Sequence, residues 1–249
     1  MRVHQQPAYV LLNRPYSESS FIVEVFSRDY GRLALMAKGA RRLKSRYKGV
    51  LQPFQPTLIS WTGKGELPTL TSAEVDLTHY RFNLHELRGD ALVCGFYVNE
   101  LLVNLLHRHD PHAALFDQYR QTISRLANDQ HEGHEADLYG RCLREFETRI
   151  IKEAGYAVNF EFESDGKTPI HADRVYLFTP GAGFSAASGA PANAISGRII
   201  RAAHGDAADQ TPLNASELSQ SKHLMRDILN QTLGYKAVTS RELFFPRQR

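Results

Sequence analysis

The first 80 residues of the chain alternate apolar and polar side chains, which is the pattern of half-buried β-strands. Five runs show this period of two, at residues 7–14, 21–26, 32–37, 57–61 and 67–75. Gly31, Gly63 and Gly65 mark tight turns between consecutive runs. Five short strands in so short a segment favour a closed barrel, because closure removes the exposed edges that an open sheet leaves.

Beyond residue 84 the apolar period changes to 3.6 residues, which is typical of helices. The pattern predicts helices at residues 85–109, 112–128, 136–154, 192–203 and 216–233. Apolar residues of the first helix cover more than one of its faces, so we expect it to be central in a bundle. Pro111 and Gly155 end the first and third helices, and Ser216 is the expected cap of the last one.

Residues 159–191 lose this periodicity and gain glycine and proline, which predicts an irregular insert. The fold class that follows is α+β: an N-terminal five-stranded OB-fold barrel followed by an α-helical bundle domain with an irregular insert. We expect the barrel at residues 1–80 and the helical domain at residues 81–158 and 192–249. OB-folds bind oligonucleotides on one face and through their loops.

Charge is concentrated in one segment of the predicted barrel, residues 38–48, which we name the basic loop. It holds six cations and no acid: Lys38, Arg41, Arg42, Lys44, Arg46 and Lys48. Like charges repel and a buried cation needs a partner, so this segment cannot be a sheet interior. Residues 1–80 carry a net charge of +5, whereas residues 81–249 carry −2. This distribution favours an anionic partner, such as a nucleic acid, over the alternative of an ordinary solvated loop.

Other features argue against an enzyme with a bound cofactor. Cys94 and Cys142 fall on apolar helix faces and are expected to be buried, and two cysteines are too few for a four-thiolate zinc site. The glycines at residues 181–186 fit a dinucleotide fingerprint only loosely, because Gly189 and Pro191 interrupt the helix that it needs. No nucleophile motif or phosphate-binding loop occurs, and no signal peptide or membrane span. We therefore expect a non-enzymatic, cytoplasmic protein without a metal.

Several short motifs together resemble the RecO family of bacterial recombination mediators. They are residues 16–19 (YSES), Gly31, residues 38–41 (KGAR), 48–54 (KGVLQPF), 97–102 (YVNELL), 155–156 (GY) and 240–244 (SRELF). The resemblance extends over nearly the whole chain in the same order, and its N-terminal part is the most specific.

This resemblance implies an N-terminal OB-fold, a helical domain and an insert that carries a four-cysteine zinc site in some members. It also implies binding to single- and double-stranded DNA and annealing of strands coated with single-stranded DNA-binding protein. RecR as a partner, RecA loading in gap repair and a place at the nucleoid are further implications. The zinc site does not carry over, since residues 159–191 contain no cysteine.

The candidate DNA-binding residues are the six cations of the basic loop, with Arg32 extending the basic face and Tyr47 stacking on bases. Trp61 and Phe54 are open between a stacking role and the core. For the acidic, carboxylate-terminated tail of single-stranded DNA-binding protein, the resemblance suggests Arg144, together with Arg141 and Phe146 on the third helix. An ordinary solvated helix face is the alternative there. Two other functions stay open: an adaptor for acidic peptide tails, and an RNA-binding OB-fold protein.

Overall fold

The computed structural model describes residues 1–78, 87–128, 135–156, 158–189, 191–204, 213–234, 236 and 238–240. The elements in chain order are β1 (Arg2–Pro15), β2 (Phe21–Ser27), β3 (Gly31–Ala37), β4 (Pro56–Thr62), β5 (Thr69–Val75), α1 (Gly89–Leu105), α2 (Ala113–Asn128), α3 (Glu135–Glu153), β6 (Val175–Thr179), β7 (Gly183–Ala186), β8 (Ile195–Ser196), α4 (Gly197–His204) and α5 (Ala215–Thr232). They form two compact units, one drawn from residues 1–131 and 238–249 and the other from residues 132–237. This division differs from the predicted boundaries at residues 80, 158 and 191.

The first unit is built on a closed five-stranded barrel with the order β1-β2-β3-β5-β4. All pairings are antiparallel except the one between β3 and β5, which closes the barrel at Met36 and Thr69. The alternating pattern places one set of apolar side chains inside, where they are almost completely buried: Val10, Val23, Val25, Leu33, Leu35, Ile59 and Trp61. The predicted α+β class with an N-terminal five-stranded barrel is confirmed.

Helices α1 and α2 pack against the outer face of β1 and β2. The ring of Tyr9 lies 4.9 Å from that of Tyr119 and 5.5 Å from that of Phe116, between centroids, and Phe26 also contacts Phe116 at 5.5 Å. Each such aromatic pair contributes roughly 0.5–1.5 kcal/mol beyond its buried area. Buried polar groups complete the contact, since Asn99 donates to the Leu11 carbonyl at 2.9 Å. These contacts explain why both helices belong to the unit of the barrel.

The linker between α1 and α2 (residues 106–112) is attached to the start of β3. Gly31 has a φ of +65°, and a Cβ atom there would lie 1.9 Å from the carbonyl oxygen of Asp110. The backbone N–H of His109 donates to the Arg32 carbonyl at 2.9 Å. Below this contact the buried Glu24 carboxylate pairs with Arg32 and, at 2.9 Å, with Arg108. Only glycine permits both the left-handed backbone and the close approach at this position.

The second unit combines α3, α4 and α5 with a three-stranded sheet of order β7-β6-β8. The prediction of an irregular insert at residues 159–191 is therefore wrong for Val175–Thr179 and Gly183–Ala186, which are paired strands. Phe178 of β6 and Phe184 of β7 form an aromatic cluster with Phe160, in which the centroid of Phe184 lies 5.2 Å from that of Phe178 and 5.8 Å from that of Phe160. Short strands rich in glycine and aromatic residues lack the long alternation by which strands are recognised.

Two helix starts also differ from the prediction in this unit. Helix α4 begins at Gly197 rather than at residue 192, because the preceding residues pair with β6 as β8. Helix α5 is capped by Asn214 rather than by Ser216. The Asn214 side chain accepts from the N–H of Glu217, whose carboxylate in turn accepts from the N–H of Asn214. This reciprocal capping box satisfies two N–H groups that the helix leaves unpaired.

Candidate nucleic-acid interface

The basic loop is the first part of the connection from β3 to β4, and all six of its cationic residues are exposed. Its backbone is a series of tight turns, in which Arg42 N–H donates to Gly39 at 3.2 Å, Ser45 N–H to Arg42 at 3.0 Å and Lys48 N–H to Ser45 at 3.2 Å. In consecutive turns of this kind, side chains point away from the backbone in several directions. The segment therefore presents its charges to solvent, as the repulsion between them requires.

Tyr47 and Leu51 anchor the loop in the barrel. Both side chains are part of the buried core cluster, with Tyr47 only 4% exposed. The Tyr47 hydroxyl donates to the Leu70 carbonyl at 3.2 Å, and Asn13 donates to the Leu51 carbonyl at 2.7 Å. A ring enclosed in this way has no free face for a base. Tyr47 holds the loop on the barrel, which corrects the prediction that it stacks on DNA.

Two of the six cations are tied to neighbouring backbone. The guanidinium of Arg41 donates to the Ser17 carbonyl in the β1–β2 turn, and the Arg41 N–H donates to Ser19 at 3.0 Å. Arg46 donates to the Thr71 carbonyl at 2.8 Å, and its guanidinium lies 4.9 Å from the centroid of the Tyr47 ring. Both keep unused N–H donors, since a guanidinium carries five. Their charges are therefore held at fixed places on the surface.

The other four cations extend into solvent. They are Lys38, Arg42, Lys44 and Lys48, and none of their side chains has an ion pair or hydrogen bond within the described part of the chain. Unpaired, exposed cations keep their full charge available to an external anion at little desolvation cost. We name these four residues the free cations.

Arg32 is not part of this exposed surface. Its side chain is 14% exposed, pairs with Glu24 and donates to the Leu106 carbonyl at 3.1 Å. Desolvation is the largest influence on its pKa and lowers it, against the opposing attraction of Glu24. Arg32 thus holds the α1–α2 linker on the barrel. The prediction that it extends the basic face is corrected by this burial.

The outer face of β2 and β3, through which OB-folds commonly bind nucleic acids, is covered in this structure. Phe26 and Ala34 point outward from these strands and are at most 2% exposed, and Glu24 beside them is 4% exposed. The covering comes from α2 and from the α1–α2 linker, through Phe116 and Arg108. The basic loop is the densest group of exposed cations on the described barrel, on which Arg2, Arg14 and Lys64 are exposed as well.

Most of the residues predicted as a peptide contact on α3 are paired or buried within the second unit. Arg144 pairs with Glu147, whose side chain is 1% exposed, and Phe146 is completely buried. Arg141 is partly exposed. A buried phenyl ring cannot line an open groove, so the assignment of Phe146 to a peptide contact is corrected. Arg144 would have to leave the buried Glu147 before it could bind another carboxylate, which is costly.

The two aromatic residues left open by the sequence take different positions. Trp61 is 2% exposed and packs edge-on against Tyr30, with 5.1 Å between ring centroids, so it belongs to the core. Phe54 packs against Phe96 at 5.2 Å on α1. Neither residue lies in the basic loop.

Two exposed apolar side chains next to the cations were not predicted as site residues. Leu43 lies between Arg42 and Lys44 and is 90% exposed, and Tyr16 in the β1–β2 turn is 61% exposed. A sequence signal existed for Leu43, since an apolar residue inside a cationic segment that cannot be a strand has no core to enter. Tyr16 gave no such signal, because its proximity to the loop arises from the contacts of Arg41.

The resemblance implies a four-cysteine zinc site in some members of the family, and the residues present here do not match that ligand set. Residues 159–191 contain no cysteine, and within the described residues no group of three His, Cys, Asp or Glu could hold a metal ion. The Asp165 carboxylate instead accepts from the N–H groups of Lys167 and Thr168, both at 2.9 Å. The hydrogen bonds from Thr168 are the main reason why the pKa of Asp165 is lowered. The turn at residues 163–168 is thus closed by a side chain.

No helix in the described ranges is both long and apolar enough to cross a membrane.

Comparison with known proteins gives matches along almost the whole chain. The family described as "Recombination protein O N terminal" matches residues 1–77, and "Recombination protein O C terminal" matches residues 87–242. The "DNA repair protein RecO" of Thiobacillus denitrificans is 38% identical over 244 residues, covering 97% of this chain and 91% of that protein. The protein of the same name from Burkholderia pseudomallei is 40% identical, covering 99% and 85%. That of Coxiella burnetii (strain CbuG_Q212) is 38% identical, covering 98% and 99%.

Proposed function

The chain belongs to the RecO family of DNA repair proteins, and from this premise we propose that it is a recombination mediator that anneals complementary single strands. It acts on strands coated with single-stranded DNA-binding protein, assists the loading of RecA and catalyses no bond-making or bond-breaking step. The observation that carries this proposal is the set of four free cations on an anchored loop.

Annealing requires two polyanions to approach each other, so the mediator must neutralise phosphate charge without trapping either strand. Lys38, Lys44 and Lys48 are well suited to this, because a lysine on a flexible stem is a compact charge that makes no fixed base contact. Contacts of this kind ignore sequence, and an annealing protein has to accept any sequence. The binding should also weaken steeply with salt, since each phosphate contact releases a counterion.

The anchoring of the loop supports the same role. Tyr47 and Leu51 hold its C-terminal half in the core, and Arg41 holds its N-terminal half against the β1–β2 turn. The positions of the charges are therefore fixed by the barrel while the lysine side chains keep their freedom. Little backbone ordering is needed when DNA binds, which reduces the entropic cost of association.

Partners in the same pathway belong to the proposal as well. We propose that the tail of single-stranded DNA-binding protein binds at α3, where the partly exposed Arg141 would pair with its terminal carboxylate. Arg144 contributes there only if it exchanges Glu147 for the tail. We also propose a RecR-type partner and association with the nucleoid, both of which the resemblance to the family implies.

A strand-annealing assay tests the proposal. Wild-type protein should accelerate annealing of two complementary oligonucleotides, both naked and coated with single-stranded DNA-binding protein. The variant Lys38→Gln, Arg42→Gln, Lys44→Gln and Lys48→Gln should lose most of this acceleration. A matched variant removes three lysines and one arginine that are exposed in the second unit: Lys167→Gln, Lys222→Gln, Lys236→Gln and Arg226→Gln. We expect it to anneal like the wild type.

Other outcomes of the assay favour other functions. Full annealing by the variant without free cations would contradict the proposal. Tighter binding to RNA than to DNA of equal length would favour the RNA-binding alternative. Retained binding to an acidic peptide together with absent DNA binding by the wild type would favour the adaptor.

A further inference from the structure

We propose that Tyr16 and Leu43 form a base-contacting surface beside the free cations, through which the barrel prefers single-stranded DNA to duplex. This inference rests on the proposed DNA-binding function and adds a second class of contact to it. The cations hold phosphates, while the tyrosine ring stacks on one base and the leucine side chain packs against another.

The two side chains are exposed far beyond what packing explains. Leu43 is 90% exposed, the largest value among the exposed large apolar residues of the described chain, and Tyr16 is 61% exposed. A single exposed leucine is ordinary on a protein surface. Here both residues adjoin one cationic loop, and Leu43 has a cation on each side. The combination of apolar surface with unpaired positive charge fits the two components of a nucleotide, its base and its phosphate.

Arg41 brings the two residues onto the same part of the barrel. Its N–H donates to Ser19 at 3.0 Å and its guanidinium donates to Ser17, so that the basic loop is joined to the β1–β2 turn. Within that turn the N–H of Tyr16 donates to Ser20 at 3.1 Å. Leu43 follows Arg41 by two residues. The stacking ring, the guanidinium and the apolar side chain therefore belong to one connected structure.

Both signs of charge lie near Tyr16, since the exposed Arg14 precedes it by two residues. Glu18 is exposed in the same turn and repels phosphates, whereas an uncharged base has no such conflict. Among the free cations, Lys38 precedes Arg41 along the chain, and Arg42, Lys44 and Lys48 follow it. A strand bound here would place its backbone along the cations and its bases toward Tyr16.

Single-strand preference follows from these contacts. Phosphate contacts alone favour a duplex, because it carries more charge per unit length than one strand. A tyrosine ring and a leucine side chain contact unstacked bases most readily, because inserting an apolar side chain between paired bases costs about a few kcal/mol per step. A base that pairs within a new duplex no longer contacts Tyr16 or Leu43. The annealed product would therefore be released more readily than the single strands.

Binding to three labelled probes tests the inference: an oligonucleotide of 20 thymidines, an abasic strand with the same number of phosphates, and a duplex of the same length. The variant Tyr16→Ala and Leu43→Ser should lose about tenfold or more in affinity for the thymidine strand, which corresponds to about 1.4 kcal/mol. Its affinity for the abasic strand and the duplex should be unchanged. Tyr16→Phe alone should behave as wild type, since stacking needs only the ring.

A matched control removes an exposed tyrosine and an exposed leucine elsewhere, by Tyr156→Ala and Leu77→Ser. It should bind all three probes as the wild type does. An equal loss on the thymidine and abasic strands, or no loss on either, would overturn the inference. Failure of the proposed DNA-binding function would look different, because the wild type itself would then bind none of the probes.

Discussion

Removal of the four free cations should change the salt dependence of DNA binding by a calculable amount. The perturbation is Lys38→Gln, Arg42→Gln, Lys44→Gln and Lys48→Gln, all exposed side chains without a partner in the described ranges. Glutamine keeps much of the side-chain length and adds no acid. Arg41 and Arg46 are left in place, because each binds backbone carbonyls and its loss would disturb the loop itself.

The magnitude follows from counterion release. Each phosphate contact on a single strand contributes a slope of about −0.7 to the plot of log affinity against log salt concentration. Six contacts give a slope of about −4.2, which is a loss of about 340-fold in affinity between about 50 and 200 mM salt. The two remaining arginines give about −1.4, or only about sevenfold over the same range.

Fluorescence anisotropy of a labelled oligonucleotide, measured at several salt concentrations, checks this prediction. The matched variant with Lys167→Gln, Lys222→Gln, Lys236→Gln and Arg226→Gln has the same net charge, because it also loses four cations. Its slope should equal that of the wild type. An unchanged slope in the loop variant, or an equal change in both variants, would refute the assignment of phosphate contacts to the loop.

Three further predictions concern the framework of the site. Gly31→Ala should destabilise the protein by about 1–3 kcal/mol, because its Cβ would overlap Asp110, whereas Gly49→Ala has open space and costs less; thermal unfolding compares the two. Tyr47→Ala should cost about 3–5 kcal/mol by leaving a core cavity, and Tyr47→Phe only about 1 kcal/mol, in chemical denaturation. Burial raises the pKa of Glu100, but hydrogen bonds from Ser240 and Thr239 outweigh it, so the pKa lies below the ordinary 4.5. Its ionised form therefore stabilises the fold above that value, and this contribution to the free energy of unfolding is lost as the pH falls through the lowered pKa. The free energy of unfolding of Glu100→Gln, measured against pH, should therefore fall less than that of the wild type over the same range.

The barrel was predictable because its alternation is local and strong. The sequence-based boundaries of β2 to β5 lie within two residues of those in the structure, while β1 begins at Arg2 rather than at residue 7. Helix α1 is shorter than its apolar pattern, which continues past Leu105 into the linker. There the apolar Leu106 is buried although it is no longer helical. Past Leu105 the apolar pattern therefore predicts burial correctly but not helical structure.

In the candidate site, too, the features set by local sequence were predictable and those set by distant contacts were not. The exposure of the six cations was predictable, because a dense run of like charge has no alternative to solvent. The roles of Tyr47 and Arg32 were not, since the carbonyls to which they donate, those of Leu70 and Leu106, lie 23 and 74 residues away in the sequence. DNA contact by the basic loop stays a prediction.

The most direct test of the central role of the basic loop is a lysine-modification footprint, read by mass spectrometry with and without single-stranded DNA. Saturating DNA should protect Lys38, Lys44 and Lys48 from an amine-reactive reagent and leave Lys167 and Lys222 as reactive as before. All five lysines are exposed in the free protein. Unchanged reactivity of the three loop lysines with DNA bound would contradict the account.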